Sequence, residues 1–234
     1  GVGAIFALHV MPGLASDEIG VREGQLMAAS DFFRVTIRGV SSHAARPHQG
    51  IDAVVVAANC IVALQSMISR FRDPVDPVVL TFGMISGGEQ PNVLANEVTF
   101  QGPMRTMNPE TRKRMVEMMK RVTESTALMF GATCEIHHIE SHPAIINDRA
   151  CVDFLRKAAA DIVAEDRITV PAPLLTTESF ARYLQKVPGA MWYMGTGFDD
   201  GLHSTTFRID ENCLVTAAAI QANLAWRYLM DEEK

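Results

Sequence analysis

The sequence predicts an α/β protein carrying an inserted α+β unit, and three observations predict it. Residues 31–145 switch between period-2 and helical apolar patterns in the order β-α-β-β-α-β, the ferredoxin-like split unit. The flanking stretches 1–30 and 146–234 alternate strands with helices, as layered α/β domains do. Of 234 residues, 48% are apolar and 21% charged, enough to bury a core and too apolar for disorder.

Each element has its own reason. Val2 to Val10 is an apolar strand beginning almost at Gly1, so its sheet is expected to need strands from outside this chain. In Asp31–Val40, Phe33, Val35 and Ile37 alternate with Arg34, Thr36 and Arg38, which marks a half-buried strand. A polar loop, Ser41–Gly50, leads to Ile51–Ile68, where Val54, Val55, Ala58, Ile61, Val62 and Met67 recur at helical spacing. Val78–Ile85 is a second strand closed by Gly87-Gly88, and Glu97–Met107 is a third. Asn108-Pro109 opens a helix, a cap with Pro at the first helical position, and Gly131 closes it. Thr133–Ile139 is the fourth strand of an expected antiparallel sheet with both helices on one face. Beyond hinges near Ser30 and Asn147, helices are expected over Asp148–Ala164 and Thr177–Gln185, then a strand at Ala190–Met194. The last helix runs from its cap, Asp210, to Lys234, with Asp231-Glu232-Glu233 as a solvated tail.

Composition excludes some partners. A net charge of 21 − 27 = −6 argues against nucleic acid, which needs clustered Lys and Arg. The insert also lacks the paired stacking aromatics of RNA-binding sheets. No apolar run approaches the ~18 residues of a membrane span, and no signal peptide is expected, since no charged segment followed by an apolar one opens the sequence. Cys60, Cys134, Cys151 and Cys213 form no C-x-x-C pair, so reduced thiols in a cytoplasmic protein are expected.

Several polar residues stand where chemistry could occur. His9 lies at the end of the first strand, and His203 lies in the loop before the last helix. Ser41–His48 gathers His43, Arg46 and His48 at a sheet-to-helix turn, where a donor could meet a developing oxyanion. Asn92 and Arg105, thirteen apart, flank the third strand; a guanidinium with an amide suits a carboxylate. Glu178 opens the expected second outer helix and could merely favour its dipole. His137, His138 and His142 read as surface histidines. Taken singly, each of these has an ordinary structural alternative, and no local zinc signature such as H-E-x-x-H occurs.

A resemblance joins them. Phe6-Ala7-Leu8-His9-Val10-Met11-Pro12-Gly13, Gly20-Val21-Arg22-Glu23-Gly24 and Met27-Ala28-Ala29 resemble the hippurate hydrolase and indole-acetyl-amino-acid hydrolase group. These are metal-dependent amidohydrolases allied to aminoacylases and carboxypeptidase G-like exopeptidases. The likeness continues through His43-Ala44-Ala45-Arg46-Pro47-His48, Gly50-Ile51-Asp52, Gly87-Gly88, Asn92-Val93 and Arg105-Thr106. It ends with Tyr183–Gly189, Gly195-Thr196-Gly197 and Leu202-His203-Ser204, and so covers essentially the whole chain.

The resemblance implies a partial α/β metallopeptidase-type catalytic domain (1–30 and 146–234) and a ferredoxin-like lid or dimerisation domain (31–145). It implies two divalent metals, Zn or Mn, with His9 and His203 at ligand positions. It implies that His43 reaches the active site of the second subunit of a homodimer and stabilises the tetrahedral intermediate. Asn92 and Arg105 would hold the free carboxylate of an N-acyl-amino acid, again across the dimer, and Glu178 would stand near the metals. The sequence departs from the family at Thr176-Thr177, where a Gly pair is usual, and at Ser179, where an acid is usual. The upstream Cys-Gly-His-Asp-like motif and Glu pair are absent, so three ligands and the general base would lie before Gly1. Two readings stay open: part of an amidohydrolase, inactive alone and a weak metal binder, or a noncatalytic dimerisation or binding module.

Overall fold

The computed structural model describes residues 1–230. The expected tail Asp231-Glu232-Glu233 lies outside the described residues. The chain forms two compact units, one of Gly1–Met27, Ile145–Leu174 and the stretch from Glu178 on, the other of Ala28–Ala144 with Leu175–Thr177.

The first unit opens with β1 (Ile5–Met11), β2 (Ile19–Gly20) and β3 (Gly24–Met27). The chain then enters the second unit through β4 (Ala29–Arg38), α1 (Ala53–Phe71), β5 (Val78–Leu80), β6 (Met84–Gly87), β7 (Glu97–Thr106), α2 (Pro109–Met129) and β8 (Thr133–His142). It returns through β9 (Ile145–Asn147), α3 (Arg149–Ala159), β10 (Ile168–Thr169), α4 (Ala181–Leu184), β11 (Gly189–Gly195) and α5 (Asn212–Met230).

The second unit is antiparallel, with strand order β5-β7-β4-β8 and β6 also on β7. Phe33, Val35, Ile37, Val98, Phe100 and Met104 point to one face and pack with Cys60, Leu64 and Met67 of α1 and Met115 and Met119 of α2. Asp52 accepts from the N–H groups of Val54 and Val55 at the start of α1. Asn108 does the same for Glu110 and Thr111 at the start of α2, and Gly131, at φ 74°, supplies the left-handed turn after it.

One expected strand is two. Val78–Ile85 breaks at Thr81–Gly83, because Leu80 faces Met104 while Met84 faces Gln101, four residues set against three. Gly102 permits the bulge: a Cβ there would lie 1.9 Å from the Thr81 carbonyl oxygen. Gly102→Ala is therefore expected to cost about 3 kcal/mol, read as a lower urea midpoint.

One histidine of β8, His138, also differs from expectation. His137 is exposed, but His138 keeps only 13% of its side chain exposed. Its ring stacks on Phe33 at 4.7 Å, and Nε2 lies 2.7 Å from Oδ1 of fully buried Asp31. Arg112 of α2 grips the same carboxylate at 2.7 and 2.9 Å. The helix α1 is long and apolar enough to cross a bilayer by length and composition, which the sequence reading did not foresee. One face of it is buried in the core of this unit.

In the first unit the sheet order is β1-β11-β2-β10, with β1 parallel to β11. Every residue of β11 is buried, which explains its unbroken apolar run. Trp192 and Met194 pack with α3 and α5 on one face. Met191 and Tyr193 pack with Phe180 and Ala181 on the other. Two helices are shorter than expected: α3 ends at Ala159, and α4 begins at Ala181 rather than Thr177.

Candidate active site

Parallel strands place ligands at their carboxyl ends, and here β1 and β11 run parallel. The loops leaving that end are tied together: Gly13 donates to the Phe198 carbonyl at 3.0 Å and Thr196 to the Met11 carbonyl at 3.3 Å. His9, two residues from the end of β1, and His203, in the loop after β11, thus belong to one end of the sheet.

The surroundings of His9 fix its chemistry. Its Nδ1 lies 2.7 Å from the Val10 carbonyl, which can only accept, so Nδ1 carries the proton. The lone pair is left on Nε2, the arrangement of a ligating imidazole. His203 has φ 63° and is the one non-glycine residue in the left-handed region among the described residues. A side chain held there costs backbone energy, and such outliers concentrate at functional sites.

Glu178 does not open a helix. It precedes a turn, and its Oε1 accepts from the Ser179 N–H at 2.6 Å, the Ser179 hydroxyl at 2.9 Å and the Phe180 N–H at 3.4 Å. Burial pushes its pKa up, but those bonds and the nearby His9 outweigh it, and the carboxyl titrates below its ordinary range. It stays charged, and it is a poor proton acceptor.

In the other unit, His43 and Asn92 come together. Ala44 donates to the Asn92 carbonyl at 3.0 Å, and His43 bridges Val93. The Ala45 N–H donates to His43 Nδ1 at 3.1 Å, so in the neutral ring the proton sits on Nε2. His43 therefore presents a donor where His9 presents a lone pair.

Arg105 is elsewhere. It lies near the far end of β7, where its Nη1 donates to the Thr177 hydroxyl at 3.0 Å. Asn92 precedes the start of that strand, and the eight residues from Glu97 to Arg105 span about 27 Å. Asn92 and Arg105 of one chain thus lie toward opposite ends of β7.

Among the described residues no three His, Cys, Asp or Glu side chains are placed to hold a metal. His9 fits a metal by its tautomer, and His203 shares its end of the sheet, but the set is incomplete.

Residues 1–227 match the family described as Peptidase family M20/M25/M40. The chain belongs to this family. It is 37% identical to a probable hydrolase of Synechocystis over 97% of this chain and 60% of that protein. It is 35% identical to the N-acetyl-L-cysteine deacetylase of Bacillus subtilis over 100% of this chain and 56% of that protein. The crystal structure of the Bacillus subtilis YXEP protein, a dinuclear metal binding peptidase of the M20 family, superposes with a TM-score of 0.85. That match has 30% identity and covers 99% of this chain and 58% of that one. The chain spans well under two thirds of the length of these relatives. Sequence reasoning reached this M20 family through motifs; the opposite tautomers of His9 and His43 had no sequence signal.

Proposed function

We propose that this M20 chain contributes to a two-metal amidohydrolase, with Zn or Mn as cofactor, that cleaves the amide bond of N-acyl-amino acids of the hippurate kind. The observation that carries this reading is the pair of opposed tautomers, a free lone pair on His9 and a free N–H on His43. His9 Nε2 and His203 would hold metal, with Glu178 as a fixed negative charge beside His9. When bound, such metals lower the pKa of a water and polarise a carbonyl. His43 Nε2–H would donate to the oxygen on which charge develops. The deacetylase relative, named for an N-acyl-amino acid, supports the substrate class.

The separation of Asn92 from Arg105 supports a homodimer in which one copy supplies His43 and Asn92 and the other Arg105. The edge strand β6 suits such pairing, since Met84 and Ile85 are 63% and 58% exposed, as does the outward Val54, Val55 and Val62 of α1. Four cysteines with no disulfide among the described residues suit a reducing, cytoplasmic compartment.

Titrating Zn²⁺ into the chain with ¹⁵N-labelled imidazoles tests the metal assignment. The Nε2 signals of His9 and His203 are expected to move, and that of His43 to stay. Movement at exposed His137 alone would sink it. Sedimentation is expected to give a dimer that Ile85→Asp converts to monomer; a monomeric parent chain would refute the shared site. The incomplete donor set favours one second reading, a binding module that takes metal weakly and does no hydrolysis.

A further inference from the structure

The sheet of the insert has a face without helices. Arg38, Thr36, Arg34, Phe32 and Ser30 of β4 point there, since Phe33, Val35 and Ile37 fill the helix side. At its base, Ser30 pairs with Arg105 on one side and with His142 on the other. Directly paired residues share a face about 5 Å apart. A register shift at this point skips Ser141, which is why His142 stands opposite Ser30.

Three polar groups in this row lack a full set of partners. Arg105 spends one nitrogen on Thr177. His142 is half-buried, with Nδ1 2.7 Å from the Ser141 hydroxyl and Nε2 without a partner among the described residues. Ser30 is 6% exposed, and its hydroxyl finds no partner among the described residues. The acids of the neighbouring row, Asp31 and Glu140, are turned to the helix side by Arg112. A guanidinium, a hydroxyl and an imidazole with no facing carboxylate form a receptor for one. The next row on this face is apolar: Phe32, Pro103 and Ile139 pair in register, and Ile139 is 59% exposed.

We propose that His142 and Ser30 complete, with Arg105, a carboxylate receptor at the base of this sheet, with the Phe32–Pro103–Ile139 row taking an apolar side chain beside it. The ligand class is an N-acyl-amino acid with an apolar side chain, so the proposal deepens the function proposed above and rests on it. His142 acts here as a substrate-positioning residue that reading the sequence alone assigned to the surface.

The test is a metal-free titration of the chain with N-acetyl-L-leucine, observing the His142 ring and Arg105 Nε signals by NMR. Both are expected to move together and saturate, and N-acetyl-L-leucinamide, which lacks the carboxylate, is expected to move neither. His142→Gln is expected to weaken binding ~5-fold and Arg105→Gln to abolish it. N-acetylglycine is expected to bind more weakly than the leucine compound, and equal binding overturns the apolar row. Arg105-dependent binding that leaves the His142 ring still overturns the receptor while the N-acyl-amino-acid reading stands. No saturable binding of either probe overturns the receptor too, and the Zn²⁺ titration then judges the wider reading separately. The ring titration uses the unaltered chain, so it decides the matter even if a variant fails to fold.

Discussion

Given hippurate and Mn²⁺ or Zn²⁺, the 234-residue chain is expected to show no turnover above a metal-and-buffer blank. The effect is large, since enzymes of ordinary efficiency accelerate their reactions ~10⁶-fold or more. Two reasons in the structure lead to it. Among the described residues no three His, Cys, Asp or Glu side chains are placed to hold a metal, His9 and His203 included. Glu178 interacts electrostatically with His9, and three hydrogen bonds to its Oε1 hold it in the charged form. A chromatographic assay for released benzoate and glycine checks this, and steady metal-dependent release would refute it.

Arg112→Ala is expected to destabilise the insert by about 3–5 kcal/mol. Asp31 has no exposed side-chain surface and depends on Arg112 for two of its three charge-assisted bonds, with His138 making the third. Removing the guanidinium leaves a buried carboxylate with one partner. The pairing is also seen from the other side: the hydrogen bond to Asp31 leads the causes that push the pKa of Arg112 up. Urea unfolding followed by circular dichroism measures the loss. A change below ~1 kcal/mol would mean that water replaces the guanidinium at Asp31.

Much of this was legible in the sequence, for local reasons. The order of elements in the insert could be read because each carries its own period and its own caps, as Asp52, Asn108 and Gly131 do. The motif residues His9, His43, Asn92, Arg105, Glu178 and His203 could be picked out because a resemblance fixed them. What could not be read depends on contacts between distant segments. Asp31 looked like the start of a strand, and nothing near it in the chain announces Arg112 and His138 as partners. The break at Thr81–Gly83 depends on Gly102, which approaches only once β7 is in register. The separation of Asn92 from Arg105 was within reach: a strand expected over Glu97–Met107 already sets Arg105 about 27 Å from Glu97, the end nearer Asn92.

The outer edge of β1 has a neighbour on one side only, because β11 is its single partner among the described residues. Beside it Phe6, Phe154 and Tyr228 meet edge to face around open cavities of about 300 and 460 Å³. Backbone donors and acceptors in a row along this edge make the margin the place where a concentrated solution should first turn cloudy. Arginine in the buffer, or a charged residue in place of Leu229, which is 81% exposed on the last helix, should delay that turbidity.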